Sequence, residues 1–428
     1  MAGLSQFRLR TPLLVDANST RSTTVELGAE LAGDMARANR RDFKSAILAG
    51  VLAVALAACS TIARNAVPDS PKLNDVLGVS GPVRFWGDEP PKNTLALVRE
   101  AYRQRLAAGI DPNAPVNFLA VSGGGSDGAF GAGLLVGWSD CGTRPSFELV
   151  TGISTGALIA PFAFMGSAYD QQLKEIYTAY GTDDIARQRN PLAIIAEASA
   201  ADSAPLANLI AKYIDADFMA AVAREARKGR GLFIGTTFLD AQRPVIWDMG
   251  AIAVRGDEAS LALFRKVLLA SASIPGVFPP AMIPVEQDGK VYDEMHVDGG
   301  VANQVFIFPA QINLADLDKR VQRTATRRIY VIRNARLHPM WASVSPGLTK
   351  IAEASISSLI TYQGIGDVNR IYLQVRAASA DFNLAYVPDS FVGRENTPFD
   401  LDYMRALYEF GYAQARAGYK WEKKPPDL

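Results

Sequence analysis

The feature that most constrains this chain is the heptapeptide Thr151–Ala157, which reads TGISTGA. A run with strand character (147–150) precedes it, and a run of small residues with helical character follows it. In this context the pattern G-x-S-x-G predicts a sharp strand-to-helix turn that exposes the serine hydroxyl at the edge of a sheet. Gly152 and Gly156 fit that turn, because the strand and the helix pass too close to each other for a Cβ atom. Ser154 is therefore a candidate nucleophile, and the alternative is a glycine-rich turn that holds a serine by chance.

The composition is that of a globular protein with a large core. Of the 428 residues, 49% are hydrophobic and 21% are charged, which allows one large α/β domain with extensions or two to three smaller domains. The formal net charge is zero, and no basic run alternates with aromatic residues, so we expect no nucleic-acid partner. No cluster of Cys, His and Asp has the spacing of metal ligands, so the sequence predicts neither a metal nor another cofactor.

Residues 1–58 are predicted to contain an export signal. Arg40, Arg41 and Lys44 precede an uninterrupted apolar run, which extends from Ala46 to Ala58. The run is short for a membrane span, and its basic start and small-residue end are typical of an export signal. The alternative is a buried, alanine-rich helix.

The end of this run, Leu56–Cys59, also resembles the lipobox of bacterial lipoproteins. The resemblance implies that Cys59 is lipidated, becomes the mature N-terminus and attaches the protein to the membrane, on the periplasmic face of the outer membrane. Attachment would then depend on acyl chains and not on a basic patch. A start at Met35 instead of Met1 would give a signal of ordinary length, and the residues before it would be a misassigned leader.

A second glycine-rich motif follows the predicted buried strand Val116–Ser122. It reads GGGSDG over residues 123–128 and lies before a helical run, so it matches G-x-G-x-x-G. One interpretation is a dinucleotide-binding loop, which requires a carboxylate at the end of the next strand, about 20 residues on. Glu148 has that spacing but lies at the start of its strand. The other interpretation is that the loop N–H groups stabilise an oxyanion on a substrate of Ser154.

Three motifs in order resemble the patatin-like phospholipase family. They are the loop Gly123–Gly128, the turn Gly152–Gly156 and the triplet Asp298–Gly300, and the segment Ala270–Pro280 is also similar to a stretch of that family. The resemblance covers about residues 116–312. It implies a three-layer α/β/α sandwich with a nucleophile elbow, and hydrolysis of lipid acyl esters by a Ser–Asp dyad.

Carried over motif by motif, the resemblance implies that Ser154 is the nucleophile and Asp298 the proton acceptor. The backbone of the glycine loop would form the oxyanion hole, with contributions from Gly123, Gly124, Gly125 and Ser126. The remaining motif glycines would be Gly128, Gly152, Gly156, Gly299 and Gly300.

One position departs from the family pattern, because the family loop usually carries Arg or Lys where this chain has Asp127. Asp127 either complements the dipole of the following helix or weakens the oxyanion hole and discourages anionic head groups. His296 lies two residues before Asp298, on the same face of a strand, and is either a packing residue or the base of a Ser–His–Asp triad.

The predicted organisation is a leader and signal (1–58), a tether with an amphipathic helix (59–115), the patatin-like domain (116–312) and C-terminal elements that pack on it (313–428). The amphipathic helix is expected over 93–108, and closing helices are expected over 348–372 and 402–417. The apolar stretches Leu192–Ala201 and Leu206–Ile214 are either core helices or surfaces that admit lipid.

The sequence as a whole predicts a membrane-anchored lipid acyl hydrolase, of the phospholipase A or lysophospholipase type, that acts through an acyl-serine intermediate on a phospholipid or another lipid ester. Two alternatives stay open. One is a non-catalytic envelope lipoprotein that binds lipid or partner proteins, and the other is an acyltransferase on the same scaffold.

Overall fold

The structure is a computed structural model, and it describes residues 64–188, 199 and 201–428, apart from the single positions 71, 112, 324, 342 and 427. The described residues belong to one compact unit that extends to the C-terminus. The predicted signal, Met35 and Cys59 lie outside the described residues, and so does most of the apolar stretch Leu192–Ala201.

Twelve strands are found in the described part of the chain. They are β1 (Asp75–Val76), β2 (Arg84–Trp86), β3 (Val116–Val121), β4 (Leu149–Ile153), β5 (Arg187–Gln188), β6 (Ala201–Asp202), β7 (Gly231–Phe238), β8 (Arg243–Asp248), β9 (Ala281–Gln287), β10 (Lys290–Asp298), β11 (Arg327–Arg333) and β12 (Asp381–Tyr386). Ten of them form one sheet in the order β1-β9-β10-β7-β4-β3-β11-β12, with β8 paired to β7 and β2 paired to β8. Strands β7, β4, β3, β11 and β12 are parallel, whereas β10 is antiparallel to β7.

Twelve α-helices accompany these strands in the described residues. They are α1 (Thr94–Ala107), α2 (Gly128–Asp140), α3 (Thr155–Met165), α4 (Asp170–Thr178), α5 (Thr182–Ile185), α6 (Ala204–Tyr213), α7 (Ala216–Ala226), α8 (Met249–Arg255), α9 (Glu258–Ser271), α10 (Leu314–Arg320), α11 (Leu348–Ala377) and α12 (Leu401–Arg416). The helices predicted over 93–108, 348–372 and 402–417 are therefore confirmed as α1, α11 and α12. None of the helices in the described ranges is long and apolar enough to cross a membrane.

Alternate residues of β11 enter two separate cores, so helices cover both faces of the sheet. Tyr330 and Ile332 belong to the larger core, which includes residues of α2, α3, α9 and α12. Ile329 and Val331 pack instead with Val368 and other residues of α11. Since successive side chains of a strand point to opposite faces, this arrangement is a three-layer α/β/α sandwich. The predicted fold class is confirmed.

The parallel strands all end at the same edge of the sheet, which we call the carboxyl edge. Ser122 and the glycine loop follow β3 there, Ser154 follows β4, and Asn334 follows β11. Open α/β sheets commonly bind ligands at this edge.

Candidate active site

Ser154 occupies the strained turn that the sequence predicts. It joins β4 to α3 with φ 56° and ψ −127°, in the left-handed region that residues other than glycine rarely adopt. A Cβ atom on Gly152 would lie 2.3 Å from the carbonyl oxygen of Gly156. A Cβ atom on Gly156 would lie equally close to the carbonyl oxygen of Val121. The close approach of strand and helix therefore requires both glycines and directs the serine outward.

A second serine holds this turn in place. The Ser154 N–H donates a hydrogen bond to Ser271 Oγ at 3.0 Å, and Ser271 Oγ donates to the carbonyl oxygen of Gly235 at 2.7 Å. Ser271 is the last residue of α9 and is fully buried. No motif in the sequence marks Ser271 for this role, although it lies in the segment 270–280 that is similar to the family.

Asp298 meets Ser154 from the end of β10. Its carboxylate lies close enough to the Ser154 side chain for the two to interact, and Oδ1 accepts the Gly300 N–H at 2.7 Å. Burial raises the pKa of Asp298 to about 7, against the opposing effect of these two interactions. A carboxylate with that pKa is a better general base at neutral pH than an ordinary aspartate.

His296 lies in a buried polar cluster and makes no hydrogen bond to Ser154. Its Nδ1 is 3.0 Å from Thr236 Oγ1, and its Nε2 is 3.1 Å from Glu294 Oε2. Glu294 in turn pairs with Arg84. Burial lowers the pKa of the imidazole. Because both ring nitrogens are engaged, the geometry favours the packing interpretation of His296 over a triad.

The glycine loop supplies backbone N–H groups beside Ser154. The Gly123 N–H donates to the carbonyl oxygen of Gln304 at 3.0 Å and is therefore occupied. The N–H groups of Gly124 and Gly125 donate to no other residue of the described chain. Gly125 has φ 56° and lines the same pocket as Ser154. The two free donors thus suit an oxyanion, whereas Gly123 and the Ser126 side chain have other partners.

Glu148 is not placed to hold a ribose at this loop. It precedes β4, at the opposite edge of the sheet, where its carboxylate pairs with Arg105 at 3.2 Å and accepts the Asn117 N–H at 2.5 Å. The dinucleotide interpretation therefore lacks its carboxylate. Among the residues that the structure describes, no group of His, Cys, Asp and Glu could hold a metal ion.

A buried guanidinium lies behind the glycine loop. Arg333, the last residue of β11, is 2% exposed, and its Nη1 donates to the carbonyl oxygen of Gly123 at 3.2 Å and to Ser122 Oγ at 3.2 Å. Burial lowers the pKa of Arg333 to about 10, so the group stays cationic at neutral pH. No motif marks this residue in the sequence, where it directly follows the mostly aliphatic run Ile329–Ile332.

Residues near the C-terminus close over the other side of the loop. Asp127 is half-buried, and its carboxylate accepts the Tyr403 hydroxyl at 2.5 Å. Burial raises the pKa of Asp127 to about 6. Ser126 Oγ donates to Glu395 and accepts the Phe399 N–H at 3.0 Å. Asp127 precedes α2 but makes no side-chain capping bond, so its direct partner is α12 and not the helix that it begins.

An apolar pocket opens beside Ser154. Its empty space, with the open mouth included, is about 830 Å³. Its walls are mostly aliphatic and aromatic, and they include Leu158, Phe162, Ile176, Leu206, Ile210 and Phe278. The stretch Leu206–Ile214 is thus largely the helix α6, whose buried face forms one wall of this pocket.

Comparison with known proteins gives a family match and a structural likeness. Residues 119–310 match the family model described as patatin-like phospholipase. This segment is therefore similar to patatin-like phospholipase domains. Among solved structures, VipD from Legionella pneumophila is similar over 72% of this chain and 67% of the VipD chain, with 10% sequence identity and a TM-score of 0.29. No curated protein matches this chain significantly in sequence.

The matched segment contains the glycine loop, Ser154 and Asp298, but not every residue around the site. Arg333, Phe399 and Tyr403 lie C-terminal to the matched segment. Phe399 and Tyr403 contact one side of the glycine loop, and Arg333 contacts it from the opposite side.

Proposed function

We propose that this protein hydrolyses lipid acyl esters through a dyad of Ser154 and Asp298. The observation that carries the proposal is the buried Asp298 carboxylate next to the strained Ser154, beside an apolar pocket. The pocket suits an acyl chain, because its walls offer apolar surface and few polar groups. The substrate class is a phospholipid or lysophospholipid.

The reaction begins when Asp298 accepts the proton of Ser154 Oγ, which attacks the ester carbonyl carbon. The carbonyl π electrons move to its oxygen, and the N–H groups of Gly124 and Gly125 bind the resulting oxyanion. Collapse of this intermediate breaks the bond to the alcohol, which leaves with the proton from Asp298. The acyl group is then esterified to Ser154.

Water completes the cycle in the second half of the reaction. Asp298 removes a proton from water, the hydroxide attacks the acyl carbon, and a second tetrahedral oxyanion forms in the same site. When it collapses, Ser154 Oγ leaves and recovers its proton from Asp298, and the fatty acid is released. Arg333 contributes a fixed positive charge behind the loop in both steps, since the guanidinium is buried and needs no reorganisation.

A fluorophosphonate probe tests the nucleophile, because it labels only activated serines. We expect a stoichiometric adduct on the peptide that contains Ser154, and loss of that adduct in Ser154→Ala. The matched control is Ser139→Ala on α2, which should label like the parent and release fatty acid from phosphatidylcholine at the parent rate. A parent protein that neither labels nor releases fatty acid would support a non-catalytic lipid-binding role instead.

Attachment to the membrane through Cys59 is a second part of the proposal, and it rests on the sequence Leu56–Cys59 behind a basic flank. The location would be the periplasmic face of a bacterial outer membrane. Cys59→Ala should block acylation, and it should either release the protein from the membrane fraction of cells or stall its processing. An unchanged distribution, with unchanged processing, would contradict this part alone.

A further inference from the structure

Helix α11 extends well past the sheet that it covers. It has 30 residues, about 45 Å of helix, whereas β11 and β12 have seven and six residues. Gly364 lies against the Arg333 guanidinium at the end of β11, since a Cβ atom there would be 2.4 Å from Nη2. Val368 and the later apolar residues pack on the sheet. Residues 348–362 therefore project about 22 Å beyond the carboxyl edge, the edge at which Ser154 lies.

The projecting part of α11 and the segment before it expose a large amount of apolar surface. Trp341 is 97% exposed, Leu348 86% and Leu359 71%. Between residues 340 and 362 the only charged side chains are Lys350 and Glu353, which pair with each other at 2.9 Å. Contiguous apolar surface on a folded chain commonly marks an interaction site.

The exposed half of α11 is amphipathic. At 100° per residue, the exposed apolar side chains span an arc of about 180°, and Lys350 and Glu353 lie outside it; the apolar residues are Leu348, Ile351, Ile356, Leu359 and Ile360. Ser355 falls on the apolar face, but its hydroxyl donates to the carbonyl oxygen of Ile351 at 2.8 Å. An intrahelical bond of this kind lowers the cost of moving a hydroxyl into an apolar environment.

We propose that residues 340–362, the docking segment, bind the surface of a phospholipid bilayer and place the pocket beside Ser154 next to its lipids. The inference rests on the proposed function, in that it names the source of the lipid substrate. An uncharged apolar face beside a Trp suits the boundary between head groups and acyl chains, with the polar side of the helix in water. Because the docking segment carries no net charge, binding depends on apolar burial and is insensitive to salt.

Vesicle binding tests the docking segment directly. The full chain with Cys59→Ala is the parent, so that acylation of that cysteine contributes nothing, and the probe is phosphatidylcholine vesicles in a sedimentation assay. Ile351→Glu/Leu359→Glu should lower the partition coefficient at least about tenfold. The matched control is Leu97→Glu/Leu106→Glu on α1, where the leucines are 50% and 45% exposed; it should bind within about twofold of the parent. All three proteins should hydrolyse a soluble short-chain ester at similar rates.

Tryptophan fluorescence gives a second readout. Of the five tryptophans, Trp341 alone is fully exposed. Vesicles should therefore shift the parent emission to shorter wavelength, and Trp341→Phe should remove the shift.

Equal vesicle binding by Ile351→Glu/Leu359→Glu and the parent would overturn the proposal. So would a parent that does not bind vesicles but forms dimers that this variant dissociates, since the surface would then bind a second copy of the chain. If binding depends on the docking segment while Ser154 shows no activity, the docking proposal stands and the proposed hydrolase function fails.

Discussion

The register of the central sheet places Asp298 beside Ser154. Asp298 is paired with Thr236 between β10 and β7, and Ile153 is paired with Gly235 between β4 and β7. Ser154 directly follows Ile153, and Gly235 and Thr236 are adjacent in β7. The side chains of Ser154 and Asp298 therefore approach each other, although β4 and β10 are far apart in the sequence. The two side chains are close enough to interact, and the carboxylate has little access to water.

Asp298→Asn should lower kcat by about a thousandfold, the scale of losing a catalytic base. The amide has nearly the same shape and can still accept the Gly300 N–H, but it cannot take the Ser154 proton. The measurement is turnover of a soluble short-chain ester, with circular dichroism to show that the variant is folded. Activity within about tenfold of the parent would contradict the role of Asp298 as base.

The pKa of Asp298 predicts how the rate depends on pH. Only the ionised carboxylate can accept a proton, so kcat/KM should rise about tenfold per pH unit below about 7 and level off above it. An ordinary aspartate would give a plateau from about pH 5 upward. A profile that is flat between pH 5 and 8 would show that this carboxylate does not limit the reaction.

The same pKa predicts a change in stability with pH. The folded pKa of about 7 lies above the ordinary value of 3.8, so the native state holds more protons between these values. The contribution of Asp298 to the free energy of unfolding is then largest at low pH and falls as pH rises toward 7. At pH 8 the carboxylate is ionised, and burial of its charge lowers the free energy of unfolding of the parent. Asparagine cannot ionise, so the Tm of Asp298→Asn should exceed that of the parent at pH 8. An equal or lower Tm there would contradict the proposed burial of charge.

His296→Asn should keep kcat within about tenfold of the parent while lowering Tm. Both ring nitrogens serve the cluster with Thr236 and Glu294, so the loss affects folding more than chemistry. Breaking buried hydrogen bonds of this kind costs about 1–3 kcal/mol. If a folded His296→Asn protein were as inactive as Asp298→Asn, the dyad would be wrong and a triad would have to be considered.

Arg333→Gln should lower kcat about ten- to a hundredfold with little change in KM, because the buried charge acts on the oxyanion more than on the bound ester. The matched control is Arg328→Gln, an exposed arginine of the same strand, which should behave like the parent. Circular dichroism and Tm would show whether Arg333→Gln folds. A folded variant with unchanged kcat would exclude an electrostatic role for Arg333.

The sequence predicts those parts of the site that depend on residues close together in the chain. The turn at Ser154 depends on two glycines and a strand–helix boundary, all within seven residues, and the family motifs add Asp298. Arg333, Ser271 and Phe399 could not be found this way, because they reach the site only through strand pairing and helix packing. The projection of α11 is a similar case, since periodicity predicts a helix but not the point at which the sheet beneath it ends.

Leu209→Trp should shift the preference of the enzyme toward short acyl chains. Leu209 lines the pocket from α6 and is only half-buried, so the larger side chain can enter the pocket without overpacking the core. The indole would occupy space that a long acyl chain needs, and kcat/KM for a long-chain ester should fall at least about tenfold relative to an acetate ester. Asn208→Trp, at the neighbouring exposed position, is the control and should leave that ratio unchanged. If Leu209→Trp lowers both rates equally, the pocket is not the site of the acyl chain.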